Sequence, residues 1–228
     1  MSDKKIEIIS QNRAYDGYLK IDEAVINETD ESGEQNHYTR FKLTRPDAAA
    51  VLVYNQDTDS VVMVKQHRYP IYGKFEGDLL EVVAGKVDEG EDPLTAAIRE
   101  VEEEIGYKIE KNDMRYRGSY FPSPGYSSEI IHLYIVKVHD KDKISEGGGV
   151  EGEHENIEIV NVPTKNFFDM VANGEIVDGK TIAAANAFWH LRNDSHVQKG
   201  IEYYNKYHKI EQKAKEDALK QEDADETK

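Results

Sequence analysis

At 228 residues with a net charge of -16 and no cysteine, the chain can build one substantial domain with an appendage. The acidity excludes a basic footprint for nucleic acid or anionic membrane, and the missing cysteine excludes disulfides, thiolate metal sites and a thiolate nucleophile. The first twenty residues hold no signal-type apolar core, and no run approaches eighteen apolar residues, so the expectation is a cytoplasmic protein without nucleic-acid or membrane partners.

In chain order, KIEIIS, GYLKIDEAVI and HYTRFKLT alternate well enough to be strands, with NETDESGEQN turning between the last two. They predict an antiparallel N-terminal piece. AAAVLVYN and VVMVKQHRYP, separated by QDTDS, predict a hairpin entering a core. DLLEVVAG predicts one further short buried strand ending at Gly85. The clearest helix follows in EDPLTAAIREVEEEIGY. Asp92 is its candidate N-cap, Pro93 its first residue and Gly106 its stop. Leu94, Ala97, Ile98, Val101 and Ile105 form an apolar stripe, so the helix should lie against a sheet. MRYRGSYF and EIIHLYIVKV predict strands around the loop PSPGYSS. A glycine-rich acidic loop, EGGGVEGEHEN, then leads into the strand IEIVNV. Helices around TKNFFDMVANG and KTIAAANAFWHL close the pattern, and the charged end KAKEDALKQEDADETK predicts a frayed helix or disordered tail.

The stretch REVEEEIGY packs glutamates one helical turn apart, where like charges repel. At about 100° per residue, Glu100, Glu103 and Glu104 share an arc beside the apolar stripe, and Arg99 can pair with Glu103. On charge alone this is either a solvated face or a holder for a divalent cation. Mg²⁺ suits the second reading, because it takes oxygen ligands and combines a few carboxylates with substrate phosphates.

Spacing decides between them. Gly85 is followed after five residues by Glu91, and after seven more by Arg99-Glu100-Val101-Glu102-Glu103-Glu104-Ile105-Gly106-Tyr107. Every fixed position of the Nudix box is present, so the chain resembles the Nudix hydrolases. The resemblance implies an α/β fold, a mixed β-sheet sandwiched between α-helices, here with an N-terminal antiparallel β extension. It implies hydrolysis of nucleoside diphosphates linked to another moiety, with Mg²⁺ or Mn²⁺ as cofactor. Carried over residue by residue, Glu100, Glu104 and the carbonyl of Ala84 match metal ligands. Glu103, counted with Arg99 among the catalytic residues, matches a ligand position or one just behind the ligands, and Arg99 matches the residue that orients the glutamates.

Further segments resemble one branch of the family. SPGYSSE is similar to the Ser-Pro-Gly element of ADP-ribose pyrophosphatases and GDP-mannose hydrolases, in which the glutamate matching Glu129 lies near the distal sugar. GGGVEGEHENIEIVNVP and GEIVDGKT resemble the GDP-mannose branch, and the UDP-sugar branch also carries a triple glycine. This implies a catalytic base on the acidic loop, with Glu153 as base and Glu155 as a further metal ligand. The loop is about two residues longer than the family pattern, so the choice among Glu151, Glu153 and Glu155 stays open. Arg68 and Glu81 match substrate contacts, and Asp178 and Lys180 match structural or dimer-contact positions. His67 and His132 have no metal-ligand spacing, and VDGKT lacks the upstream glycine of a P-loop.

The expected organisation is a dimerising β extension over residues 1–46, a hydrolase domain over 47–195 and a charged tail over 196–228. The expected substrate is a nucleoside diphosphate sugar of the ADP-ribose or GDP-mannose type, cleaved by a homodimer. The alternatives are a UDP-sugar diphosphatase and a non-catalytic nucleotide-binding module of the same family.

Overall fold

The computed structural model describes residues 4–149 and 156–193. The expected tail and the loop acids Glu151, Glu153 and Glu155 lie outside them. Met1–Ala185 and Asn186–Lys228 form separate compact units. Of the second unit, only the end of the last helix is described, with the Arg192 guanidinium 5.8 Å from the Phe188 ring centre.

Three strands, β1 (Lys5–Asp16), β2 (Lys20–Thr29) and β3 (Gln35–Thr44), form an antiparallel sheet in that order. The turn between β2 and β3 is held by Asp30, whose carboxylate accepts from the amides of Ser32 and Glu34. β1 is exposed along its whole length, Ile6, Ile8 and Ile9 included. Within the sheet Asp22 accepts from Arg13 Nε at 2.6 Å and from the Thr44 hydroxyl at 2.6 Å.

The second sheet has seven strands. β4 (Ala48–Asn55), β5 (Ser60–Gln66), β8 (Arg115–Tyr120), β9 (Ile131–Val138) and β10 (Glu158–Pro163) run in the order β10-β5-β4-β9-β8. β4 and β9 are parallel and in register from Ala48–Ile131 to Asn55–Val138. The segment DLLEVVAG is two strands rather than one. β6 (Leu79–Glu81) pairs with β5, and β7 (Val83–Lys86) pairs with β4. The chain changes partner at Val82, whose amide donates to the Thr181 hydroxyl at 2.9 Å instead of to a strand.

Helix α1 (Pro93–Ile105) begins and ends as its local signals predict. The Asp92 carboxylate accepts from the amides of Leu94 and Thr95, and Gly106 closes the helix at φ 74°. Ala96, Ala97, Val101 and Ile105 bury against Val51, Val53, Val62, Val64, Val83 and Val136. Alternate residues of the same strands, Ala50, Leu52, Val61 and Met63, are equally buried, so both faces of β4 and β5 are covered. Helix α2 (Thr164–Ala172) packs on β10 and β5, and α3 (Gly179–Asn193) starts beside Val82.

The glycine-rich loop is not slack where it is described. Gly148 and Gly149 donate their amides to the carbonyls of Glu104 and Glu103 at 2.8 and 3.1 Å, and Ile144 donates to Gly106 at 2.8 Å. These bonds satisfy carbonyls that a helix end leaves without intrahelical partners. Gly147, at φ 70°, is pressed so close that a Cβ there would meet the Glu104 carbonyl oxygen at 2.6 Å. Glycine serves close approach here.

Candidate active site

The box residues gather on Arg99. Its guanidinium donates to Glu91 at 3.2 and 3.1 Å, to Glu100 at 2.7 Å, to Glu103 at 3.0 Å and to the Lys86 carbonyl at 3.0 Å. One rigid fork thus holds three carboxylates that would otherwise repel. The Glu91 hydrogen bonds, with Glu100 and Glu103 adding, keep this arginine charged more firmly than an ordinary one. Glu91 also accepts from the Asp88 amide at 3.1 Å, which fixes the turn entering α1.

Glu100 and Glu104 are not on a solvated face. The Glu100 side chain is 13% exposed and Glu104 is 5% exposed, whereas Glu102 points to solvent. The arc beside the apolar stripe therefore turns toward β7. There the missing side chain of Gly85 makes room, since a Cβ at that residue would overlap the Glu100 carboxyl group. Glu103 and Arg99 border a second groove of about 680 Å³, with Ile98, Ser145 and Gly147 on its walls.

Among the described residues, no three His, Asp or Glu side chains converge as a closed metal cage. Mg²⁺ does not require one, because it keeps waters and is commonly held by one or two carboxylates plus phosphate oxygens. The donors here are two carboxylates one turn apart and a backbone carbonyl at Ala84, all hard oxygens, against a glycine that leaves them space. In number and chemistry they fit a Mg²⁺- or Mn²⁺-type ion.

From Ala84 and Gly85 a cleft of about 690 Å³ runs between β6, the start of β9 and the head of α3. Glu81, 2% exposed, sits in its wall with both oxygens engaged. Arg68 Nε donates to one at 2.7 Å, and Lys180 Nζ donates to the other at 2.7 Å. Lys180 also donates to Asp178 at 2.8 Å. Burial works against the lysine charge, but Asp178 and Glu81 outweigh it and hold its pKa above the usual value. Burial likewise opposes the Asp178 carboxylate, and Lys180 and Thr181 overcome it, leaving that carboxyl below the usual range. On the facing side Glu129 lies 3.4 Å from Arg45. The Arg45 amide donates to the Ser128 hydroxyl, and Leu43 exchanges backbone bonds with Tyr126 and Ser128. The end of β3 thereby braces the Ser-Pro-Gly loop.

Arg68, Glu81, Ala84 and Glu129 therefore share one cleft, and Arg99, Glu100, Glu103 and Glu104 share the adjoining helix. Asp178, Lys180, Arg45 and Tyr120 also line this cleft, and spacing in the sequence gives none of them a role there. A signal for the first two was present in Asp-Gly-Lys-Thr. Asp178 caps α3 by accepting from the Thr181 amide at 2.9 Å and hydroxyl at 2.7 Å. That is a local N-cap pattern, and Lys180 rides on it into the cleft.

Comparison with known proteins identifies the family. The NUDIX domain matches residues 44–182, more than half the chain. A GDP-mannose pyrophosphatase of Salmonella typhimurium is 34% identical over 183 residues, covering 79% of this chain and 93% of that protein. One from Shigella flexneri is 32% identical over 185 residues, covering 80% and 94%. A solved structure titled "Crystal structure of ADP compounds hydrolase" matches with a TM-score of 0.63 at 19% identity, covering 84% of this chain and 96% of that one. At that identity the likeness speaks for the fold. The chain belongs to the Nudix family and has its mixed α/β fold; it is a Nudix hydrolase.

Proposed function

We propose that the protein hydrolyses the pyrophosphate bond of a nucleoside diphosphate sugar, with GDP-mannose the leading substrate. Water adds to one phosphorus, the bridging P–O bond breaks, and GMP and mannose 1-phosphate leave. The observation that carries this reading is the adjacency of two devices. Arg99 gathers the box carboxylates at one end of a cleft whose walls supply Arg68, Glu81, Lys180 and Glu129. The relatives named GDP-mannose pyrophosphatase favour that sugar nucleotide. ADP-ribose is the second reading, favoured by the Ser-Pro-Gly loop at the cleft mouth.

Glu100, Glu104 and the Ala84 carbonyl, with Glu155, would hold the divalent ion, which when bound neutralises charge on the phosphoryl oxygens. Arg99 keeps the carboxylates aimed, Glu103 stands beside them, and the base is assigned to Glu153. Arg68 and Lys180 bring positive charge to the cleft, offsetting the carboxylates where an anionic substrate enters. Residues 1–46 are assigned to a two-fold pairing surface on the strength of the exposed β1 edge. A monomer by light scattering, fully active when dilute, would refute that assignment.

The decisive assay is phosphatase-coupled release from GDP-mannose, ADP-ribose and UDP-glucose with Mg²⁺, comparing wild type with Glu104→Gln. Turnover of one sugar nucleotide, abolished by EDTA and by the substitution, is the expected outcome. Tight binding without turnover would replace the hydrolase reading with a binding module.

A further inference from the structure

Tyr120 ends β8, where it pairs with Ile131 at the start of β9. Both residues line the cleft, together with Phe121, Pro122 and Glu129. The Tyr120 hydroxyl is buried and has no hydrogen-bond partner. Among the described residues that line the cleft, it is the only buried side-chain polar atom so placed. Folded proteins leave few such groups unsatisfied, because losing water without gaining a partner is costly.

The charged groups around it are paired with one another. Asp178 gives one oxygen to Lys180 and the other to Thr181. Both Glu81 oxygens are held by Arg68 and Lys180, and Glu129 faces Arg45. Each of these ionised groups has a partner other than the tyrosine. Burial first, then the Asp178 charge, pushes the tyrosine up to about 12, with Lys180 opposing and Glu129 adding. The hydroxyl therefore keeps its proton at neutral pH and can both donate and accept. A neutral hydroxyl that can donate and accept matches the hydroxyl groups of a sugar, which do the same.

We propose that Tyr120 is a specificity-determining residue whose hydroxyl bonds a hydroxyl of the sugar carried by the diphosphate. This deepens the functional reading above and rests on it. The phosphates belong at the Ala84–Gly85 end, near the box carboxylates, and the sugar lies along the Tyr120–Glu129 wall. A site built to bond a substrate hydroxyl rejects the analogue that lacks it.

The test is steady-state kinetics of wild type and Tyr120→Phe with Mg²⁺ on GDP-mannose and its four monodeoxy-sugar analogues, with thermal melting alongside. The variant is expected to raise KM for GDP-mannose about tenfold and to change kcat by less than about twofold. On the one analogue lacking the paired hydroxyl, variant and wild type should have equal KM. Its melting temperature should equal or exceed that of wild type, because phenylalanine removes an unmade bond. An unchanged KM would overturn the proposal, as would a KM rise equal across all analogues or a lowered melting temperature. Wild type inactive on every sugar nucleotide would defeat the functional reading itself, whereas an active wild type matched by the variant defeats only the tyrosine assignment.

Discussion

Gly85→Ala separates the structural from the chemical demands of the box. A Cβ at residue 85 would lie 1.9 Å from the Glu100 carboxyl carbon and Oε1. Ordinary contact needs about 3.5–4 Å, so the carboxylate must retreat by roughly 1.5–2 Å. The backbone raises no objection, because residue 85 is not in the left-handed region. What moves is the far end of one side chain, so folding should lose only about 1 kcal/mol, or about 2–4 °C in Tm. The chemistry should lose much more. The retreat breaks the 2.7 Å bond from Arg99 and withdraws one of the two carboxylates proposed as ligands. A misplacement of about 1 Å at a reacting centre can cost 10²-fold, so kcat/KM should fall about 100-fold or further. The assay is sugar-nucleotide turnover across a Mg²⁺ titration, with a thermal melt on the same preparations. Saturation should also need more Mg²⁺ than in wild type. A variant within about threefold of wild type at every Mg²⁺ concentration would refute the placement of Glu100 as a working ligand.

Gly147→Ala should behave in the opposite manner, because its Cβ would meet backbone, the Glu104 oxygen at 2.6 Å and Ile105 Cα at 2.7 Å, at a φ of +70°. It should lose about 2 kcal/mol and about 4–8 °C, while Gly125→Ala, with nothing within 4 Å, should melt as wild type; equal melting of the two variants would refute the loop-to-helix clamp. The third prediction concerns acid. The Thr44 hydroxyl, working against burial and joined by Arg13 and Lys42, holds the Asp22 carboxyl at about 2, below its ordinary 3.8. A depressed carboxyl stabilises the fold above its unfolded value, and that contribution drains as pH falls from about 4 toward 2. Asp22→Asn should therefore flatten the acid limb of stability when unfolding is followed by circular dichroism, and an unchanged limb would count against the ion pair.

Helix α1 was legible to within a residue because its signals are local. Asp92, Pro93, the apolar period and Gly106 all act over one or two turns, and each agrees with the others. β4 was equally plain, as a continuous apolar run buried on both faces. The misread strand at DLLEVVAG shows where such reading stops. Apolar pattern reports that a segment is buried, but at the switch from β5 to β4 the Val82 amide bonds the Thr181 hydroxyl, 99 residues away. Glu104 is a similar case. Its helical phase placed it beside the stripe, and only the sheet beneath decided that the stripe's edge is buried.

The order of residues from Gly85 to Tyr107 was enough to identify the Nudix box and with it the family. The proposed ligands Glu100 and Glu104, the arginine fork and the close glycine all fall within a strand, a turn and a helix, and short-range geometry constrains each of them. The cleft beyond was decided by the tertiary structure. Glu81 meets Arg68 from 13 positions away and Lys180 from 99, and Arg45 meets Ser128 from 83. No periodicity records such pairings, because they are settled by which strands adjoin and where a helix begins. The unpartnered hydroxyl of Tyr120 belongs to the same class: a tyrosine at a strand end is unremarkable in the chain, and only the packed wall around it removes every partner.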